Sequence, residues 1–424
     1  MTATAAEVVE LFESVLGRQP ESEGVIAHHV AMGLDRAALL ALLQGSSEAR
    51  ERARQREGLE ALATHPRRGL AEAGARGPTE PARVMLWGAY GNGNLGDGAQ
   101  AMALADLLRP MLPDDTVIVA SSWERRGGYD APGGVALDPD ALLQMWRSGA
   151  DRVDLLVIGG GGLFGTPHFP LHEPAWVDAV VASGISVVLL GVGGAALALA
   201  VHSRAYDALL RHAALVGARD VETLLAIRSV RPDAIWFPDP VLARAVLAPT
   251  RPTVAQRPID VLLIPREPNG AADAAALDAM LDWRTAALTR GMRVEVAILE
   301  PVIDRRALAA RGFAGVAHEP ADWPTLLALC ARSHVVASLR LHGAIGGLEA
   351  GCLVYGLVQP KTRLLFEELG LEAWFGLQWP TNGPPPAAGI DAFATAQLAG
   401  FATVRARLGD AMTMLRTAVA GALG

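Results

Sequence analysis

The sequence predicts an α/β protein of two parallel-sheet domains preceded by a small all-α domain, and three observations predict it. From Arg83 onward, short runs of Val, Ile and Leu alternate with helical segments, the pattern of strands covered on both faces. A Pro-rich break, "APTRPTVAQRP", interrupts that alternation, which then restarts. Ahead of both, residues 5–55 carry apolar positions at helical spacing.

Taken in order, "AAEVVELFESVL" puts Val8, Leu11, Val15 and Leu16 on one helix face, and "DRAALLALLQGSSEARERAR" repeats the habit. Residues 1–56 therefore read as a helical module. "VLGRQPESEG" followed by "LLALLQGSSEARER" resembles a short repeat-type helical domain (DUF4214) found beside enzymes of surface-sugar metabolism. Residues 57–82, rich in Arg, Glu, Gly and Pro, read as a linker. The first Rossmann-like domain, 83–246, draws its strands from "RVMLW", "TVIVAS", "DLLVIG", "SVVLLG", "LVGAR" and "AIWFP". The second, 257–375, draws them from "DVLLIP", "RVEVAIL", "HVVASL" and "CLVYGLV". Its helices are "AADAAALDAMLDWRTAALTRG", closed by Gly291, and "DWPTLLALCARS". "WPTNGPPPAAG" is a further linker, and residues 388–424 are terminal helices able to pack on either domain.

A net charge of -8 argues against a nucleic-acid binder, whose affinity comes from basic surface. Lys361 is the single lysine. Cys330 and Cys352 sit in apolar runs without metal-ligand spacing, so both are expected as buried thiols. The amino terminus lacks the basic and apolar regions of a signal peptide, and no run reaches membrane-spanning length. A cytoplasmic protein without membrane insertion is the expectation.

In open parallel sheets ligands gather beyond the carboxyl ends of the strands, so the residues there are the candidates. After the first strand comes "GAYGNGNLGDGAQ", with Gly91, Asn92, Gly93, Asn94, Gly96 and Asp97 leading into a helix whose free N–H groups suit an anion or a sugar. It matches neither a dinucleotide fingerprint nor a Walker loop. "DLLVI" is followed by four glycines, Gly159 to Gly162, among which Gly160, Gly161 and Gly162 suggest close backbone passage to a ligand or a neighbour. His168, His172 and Glu173 are metal-ligand types, but their Pro-rich spacing has no helix to gather them, and no metal is expected. Arg219 after "LVGA" either grips a carboxylate or phosphate or pairs with Asp220 at a helix start; Asp239 follows "AIWF" in "PDP". The densest group is Arg340 and His342 after "HVVAS", expected to project to one side as extended residues do, with Lys361 at the end of the next strand.

In this order, over residues 84–370, the motifs "YGNGNLGD", "GGGGLF", Arg-Asp, "PDP", "SLRLHGAIGGLEAGC" and "PK" resemble the polysaccharide pyruvyl transferase family. The chain departs from it in "GDGAQ", where many members place an acidic residue after the Asp, and in "GVGGAALALA", which lacks the usual Gly-Pro ending. The resemblance implies a GT-B-like pair of Rossmann domains. It also implies transfer of a pyruvyl group from phosphoenolpyruvate, as substrate and with no cofactor, onto a sugar of a surface polysaccharide or its nucleotide-linked or lipid-linked precursor. It makes His342 the catalytic acid/base, and Arg340 and Arg219 anion-binding residues.

Ketal formation requires a proton on the enol methylene, attack by one sugar hydroxyl and loss of phosphate to a second. Imidazole gives and recovers a proton near neutrality. Carboxylate and phosphate call for charge-assisted donors, which Arg219, Arg340 and Lys361 supply. Two other readings stand beside this one. A GT-B glycosyltransferase would use a nucleotide sugar, with Glu349 the candidate acid for its ribose. A non-catalytic scaffold of a polysaccharide-assembly complex would act through the amino-terminal helices, and the intact Arg340-Leu341-His342 argues against it.

Overall fold

The computed structural model of the chain describes residues 2–16, 20, 23–46, 49, 81–120, 153–164, 174–194, 204–248, 257–376 and 387–423. His168, His172 and Glu173, nearly all of the expected 57–82 linker, and the middles of both Pro-rich breaks lie outside the described residues.

Apolar runs buried on both faces become the strands. The first sheet comprises β1 (Arg83–Trp87), β2 (Val117–Ala120), β3 (Leu155–Gly161), β4 (Ser186–Val192), β5 (Leu215–Ala218) and β6 (Ile235–Trp236). Its order is β2-β1-β3-β4-β5-β6 with every pairing parallel. All seven residues of β3 are buried, as a central strand between two helix layers requires. The second sheet comprises β7 (Ile259–Ile264), β8 (Val294–Val296), β9 (Ser333–Ser338) and β10 (Leu353–Gly356), in the order β10-β9-β7-β8, again parallel. Both sheets are wound alike: the chain reverses direction across the sheet between β1 and β3 and between β7 and β9. Each reversal opens a crevice at the carboxyl ends of those strands.

Ahead of the sheets lie α1 (Ala5–Leu11), α2 (Glu23–Ala31) and α3 (Arg36–Gln44). Thr4 and Glu7 form a capping box on α1, and Phe12–Leu16 continues it in π form. Val8, Leu11, Phe12, Leu16, Leu39 and Leu43 close a small core of their own, with Val15 half-buried at its edge.

Around the first sheet run α4 (Leu95–Leu108), α5 (Pro174–Ser183), α6 (Arg204–His212), α7 (Val221–Arg228) and α8 (Pro240–Leu247). The second is covered by α9 (Ala271–Thr289), α10 (Pro301–Ala309), α11 (Trp323–Ala331), α12 (Leu341–Glu349) and α13 (Pro360–Leu369). One apolar cluster runs from Met85 and Trp87 through Ala99 of α4 and Val241 of α8 to Leu326 of α11, Ile345 of α12 and Val336 of β9. The two Rossmann-like domains are thus joined by continuous packing and face one another across a cleft, the GT-B-like arrangement.

The terminal stretch is a single helix, α14 (Ala387–Leu423), and it packs on both domains. Phe393, Phe401 and Val404 join the shared core, and Gln397 donates to the Leu348 carbonyl at 2.6 Å. Farther along, Arg405 donates to the Val246 carbonyl. Leu408, Leu415 and Val419 then cover Val84, Leu86, Leu155 and Val157 of the first sheet. Each of those three side chains contributes about 1.5–3 kcal/mol by burial. Among the described residues, no single helix is long and apolar enough to cross a membrane.

Candidate active site between the two sheets

The two crevices face each other, so loops from the ends of β1, β3, β5, β7, β9 and β10 meet around one cleft of about 1040 Å³. Its walls include Asp97, Gln100, Arg219, Arg266, Arg340, His342 and Lys361. Val25 of α2 reaches the same cleft, which brings the amino-terminal module to its rim.

His342 and Arg340 do not project together. The strand ends at Ser338, Arg340 is the N-cap residue of α12, and His342 lies in that helix's first turn. Two residues on a helix are about 200° apart, so the pair diverges where extended residues would align. Arg340 turns into the second domain and grips buried Asp304 through two bonds, Nε to Oδ2 at 3.1 Å and Nη2 to Oδ1 at 2.5 Å. Nη2 also reaches Glu300 Oε2 at 3.2 Å. His342 points at the first domain, where its Nε2 lies 3.0 Å from Gln100 Nε2 and 3.5 Å from Asp239 Oδ2.

Asp239 caps α8 by accepting from the Val241 N–H at 3.0 Å, and Arg219 Nη1 stands 3.6 Å from its Oδ2. Burial works to raise this carboxyl, but the His342 imidazole, Arg219 and the Val241 N–H outweigh it and hold it at about 2. The carboxylate is therefore ionised beside the imidazole, oriented by a helix start. Of the two roles open to the Arg219-Asp220 pair, the structure divides them: Asp220 caps α7 through the Thr223 N–H, while Arg219 turns to Asp239 and the cleft.

The glycine runs are sockets for these side chains. A Cβ on Gly96 would collide with the His342 imidazole, and one on Gly160 with the Gln100 carboxamide. Gly160 has φ +71°, which a side chain would also strain. Cβ atoms on Gly162 and Gly193 would stand 3.1 Å from Lys361 Nζ and from Arg219 Nη2. The amides of the corner at the start of α4 are used inside the protein. Asn94 N–H donates to Asn92 Oδ1, Gly96 N–H to Asn94 Oδ1 and Asp97 N–H to the Asn94 carbonyl. Leu95 N–H crosses between domains to the Leu299 carbonyl at 2.9 Å. Gly91, at φ +75°, turns the chain into this corner, whose demonstrated occupant is His342. Asn92 donates to Asp97 Oδ2 at 2.7 Å; burial raises the Asp97 carboxyl, against the pull of His342, Asn92 and Lys361.

Arg219, Arg266 and Lys361 bring positive charge to the cleft. Lys361 has no ion-pair partner among the described residues, and burial with Arg219 nearby brings its ammonium down to about 8 despite Asp97. Arg266 pairs with Asp273 at 3.3 Å, and Asp273 is also held by Gln359. Cys330 and Cys352 are buried free thiols, as expected. Among the described residues no group of His, Cys, Asp and Glu is placed to hold a metal. Glu349 faces away from the cleft, pairing with Arg244 at 2.9 Å and accepting from the Trp323 indole at 3.0 Å.

Sequence reasoning missed Gln100, Arg266, Glu300 and Asp304. Gln100 is four residues after Gly96 and so on its helix face, a spacing that was legible. Arg266 stands two residues beyond the end of β7, at the same kind of strand end that exposed His342.

The family model described as polysaccharide pyruvyl transferase matches residues 94–358. No curated protein matches the chain. Among solved structures, a putative UDP-N-acetylglucosamine 2-epimerase from Listeria monocytogenes is similar at 14% identity and TM-score 0.46, covering 76% of this chain and 91% of its own. The UDP-GlcNAc 2-epimerase from Neisseria meningitidis, bound to UDP-GlcNAc, is similar at 12% identity and TM-score 0.45, covering 79% and 99%. An alpha-glucosyltransferase in complex with UDP is similar at 10% identity and TM-score 0.43, covering 76% and 95%.

Proposed function

Because this chain belongs to the polysaccharide pyruvyl transferase family, we propose that it moves the pyruvyl group of phosphoenolpyruvate onto two hydroxyls of a sugar, forming a ketal and releasing phosphate. The observation that carries this reading is the His342 imidazole, held beside ionised Asp239 in a cleft whose other walls bear Arg219, Arg266 and Lys361. The acceptor is a sugar of a surface polysaccharide or of its precursor. Since the donor is a metabolite of the cytoplasm, that is where the reaction belongs.

The donor's carboxylate and phosphate match the three cations, and Arg340 adds Nη1, the guanidinium nitrogen its pairing with Asp304 and Glu300 leaves over. Protonation of the enol methylene makes the adjacent carbon electrophilic. One sugar hydroxyl adds there and loses its proton; the second displaces phosphate and loses its own. Of the two protons released, one balances that placed on the methylene and the other leaves with the phosphate. His342 delivers the proton to the enol methylene, and Asp239 stabilises its charged form. A cleft of about 1040 Å³ has room for donor and acceptor together. With Glu349 bound to Arg244 and Trp323, the glycosyl-transfer reading loses the acid it assigned to a nucleotide ribose.

The test is phosphate release from phosphoenolpyruvate, with nucleotide-linked and lipid-linked sugars as acceptors, by the wild-type protein and His342→Ala. Expected are acceptor-dependent release, a pyruvylated sugar identified by mass, and a loss of about 10²–10⁴-fold on substitution. No release by protein that binds a nucleotide sugar would replace this reading with glycosyl transfer.

A further inference from the structure

Gln100 is 1% exposed, on the first domain's α4, yet its carboxamide nitrogen touches both members of the central pair: Asp239 Oδ2 at 3.1 Å and His342 Nε2 at 3.0 Å. Its other polar atom, Oε1, is buried without a hydrogen-bond partner. Space is made for it by Gly160, which could carry no side chain there. A residue placed only to fill this volume would do so better without an orphaned acceptor.

Chemistry fixes what the carboxamide does. An ionised carboxylate only accepts, so the atom facing Asp239 is the NH₂ group, with one hydrogen for the carboxylate and one for the imidazole. His342 Nε2 then offers its lone pair, and the ring proton resides on Nδ1. A proton arriving at Nε2 sets donor against donor, breaks the contact with Gln100 and leaves Asp239 Oδ2, at 3.5 Å, as the acceptor for the new N–H.

We infer that Gln100 is a positioning residue: it selects the tautomer of His342 and competes with the imidazole for Asp239 Oδ2. This rests on the reading of His342 as the proton-transferring group. The other charges facing the pair are Asp97 from α4, Arg219 after β5, Lys361 at the start of α13 and Arg340 on the histidine's own turn, with Arg266 behind Lys361. All remain in place when Gln100 alone is changed.

The experiment compares wild type, Gln100→Met and the isosteric Gln100→Glu by two readouts. In protein with ¹⁵N-labelled histidine, the His342 ring signals, assigned by their loss in His342→Ala, report which nitrogen bears the proton. Wild type is expected as the Nδ1–H tautomer and Gln100→Met shifted toward Nε2–H, free to pair with Asp239. In turnover, the alkaline limb of the kcat profile, set by loss of the proton that His342 must donate, moves to higher pH by about one unit in Gln100→Met, a tenfold change in the protonation equilibrium. The KM for phosphoenolpyruvate on the plateau stays within about twofold. Gln100→Glu, which keeps the shape, supplies the ring-nitrogen comparison if the methionine variant does not fold. An unchanged tautomer and an unmoved alkaline limb would overturn the inference while leaving His342 its role. Full activity in His342→Ala would overturn that role instead, and the ring-nitrogen signals of the Gln100 variants would still judge the tautomer.

Discussion

Replacing Gly96 with alanine separates a socket for His342 from an anion-binding corner. A Cβ there would meet the imidazole at Nδ1, at Cγ (2.5 Å) and at the histidine's own Cβ (2.9 Å). Ordinary carbon contacts begin near about 3.5 Å, so the ring must retreat by roughly 1 Å. It cannot do so by moving α12, whose Ala344, Ile345 and Leu348 are fully buried in the shared core. The ring therefore rotates away from Asp239 and Gln100. A displacement of about 1 Å costs on the order of 10²-fold in rate. Alanine's higher helix propensity at this first-turn position of α4 offsets part of the strain. The assay is acceptor-dependent phosphate release with a thermal melt alongside. The expected result is kcat down about 100-fold, a melting temperature within a few degrees of wild type, and little change in donor KM. A kcat within threefold of wild type would refute the socket, and a normal kcat with a raised donor KM would show that the corner grips an anion.

Lys361, held at about 8, loses its charge as pH rises through that value, so the KM for phosphoenolpyruvate should climb above about pH 8, and Lys361→Met should flatten that rise. The sign for stability is opposite: a lysine depressed in the folded state from about 10.4 binds fewer protons than the unfolded chain between the two values, so its contribution to stability increases from about pH 8 to 10.4. Arg340→Ala leaves buried Asp304 without its counter-charge, held only by the Glu267 and Glu300 N–H groups, and urea unfolding should show a loss of about 3 kcal/mol. Arg340→Lys should recover little of it, because an ammonium cannot reproduce the two-bond grip. Glu349→Gln should destabilise the fold by removing the charge that pairs with Arg244 and one of the two oxygens that accept from Arg244 and Trp323, yet leave substrate KM values unchanged, the opposite of what a substrate-binding acid would show.

The strands were legible because a parallel sheet buried on both faces demands near-continuous apolar runs, and β3 and β4 are such runs. His342, Arg219, Lys361 and Asp239 were legible because they follow strands, where the cleft had to be. Arg340 was misdirected because strand alternation was carried one residue too far, past the point where α12 begins. Asp304 carried no signal: in "PVIDRRALA" it reads as a solvated helix residue, and only the fold reveals that Arg340 reaches it across the sheet end. The glycine corner advertised backbone freedom but not its purpose. Whether missing side chains admit a ligand or another part of the chain depends on what the second domain delivers, and here it delivers an imidazole.

The long helix α14 has a consequence for the order in which the molecule can be made. The face of the first sheet formed by Val84, Leu86, Leu155 and Val157 is sealed by Leu408, Leu415 and Val419, residues synthesised only after the whole second domain. At about 5–20 residues per second, that face waits on the order of tens of seconds on the ribosome before its cover emerges. Of the two sheet domains, the first is therefore the earlier to be translated and the later to be finished.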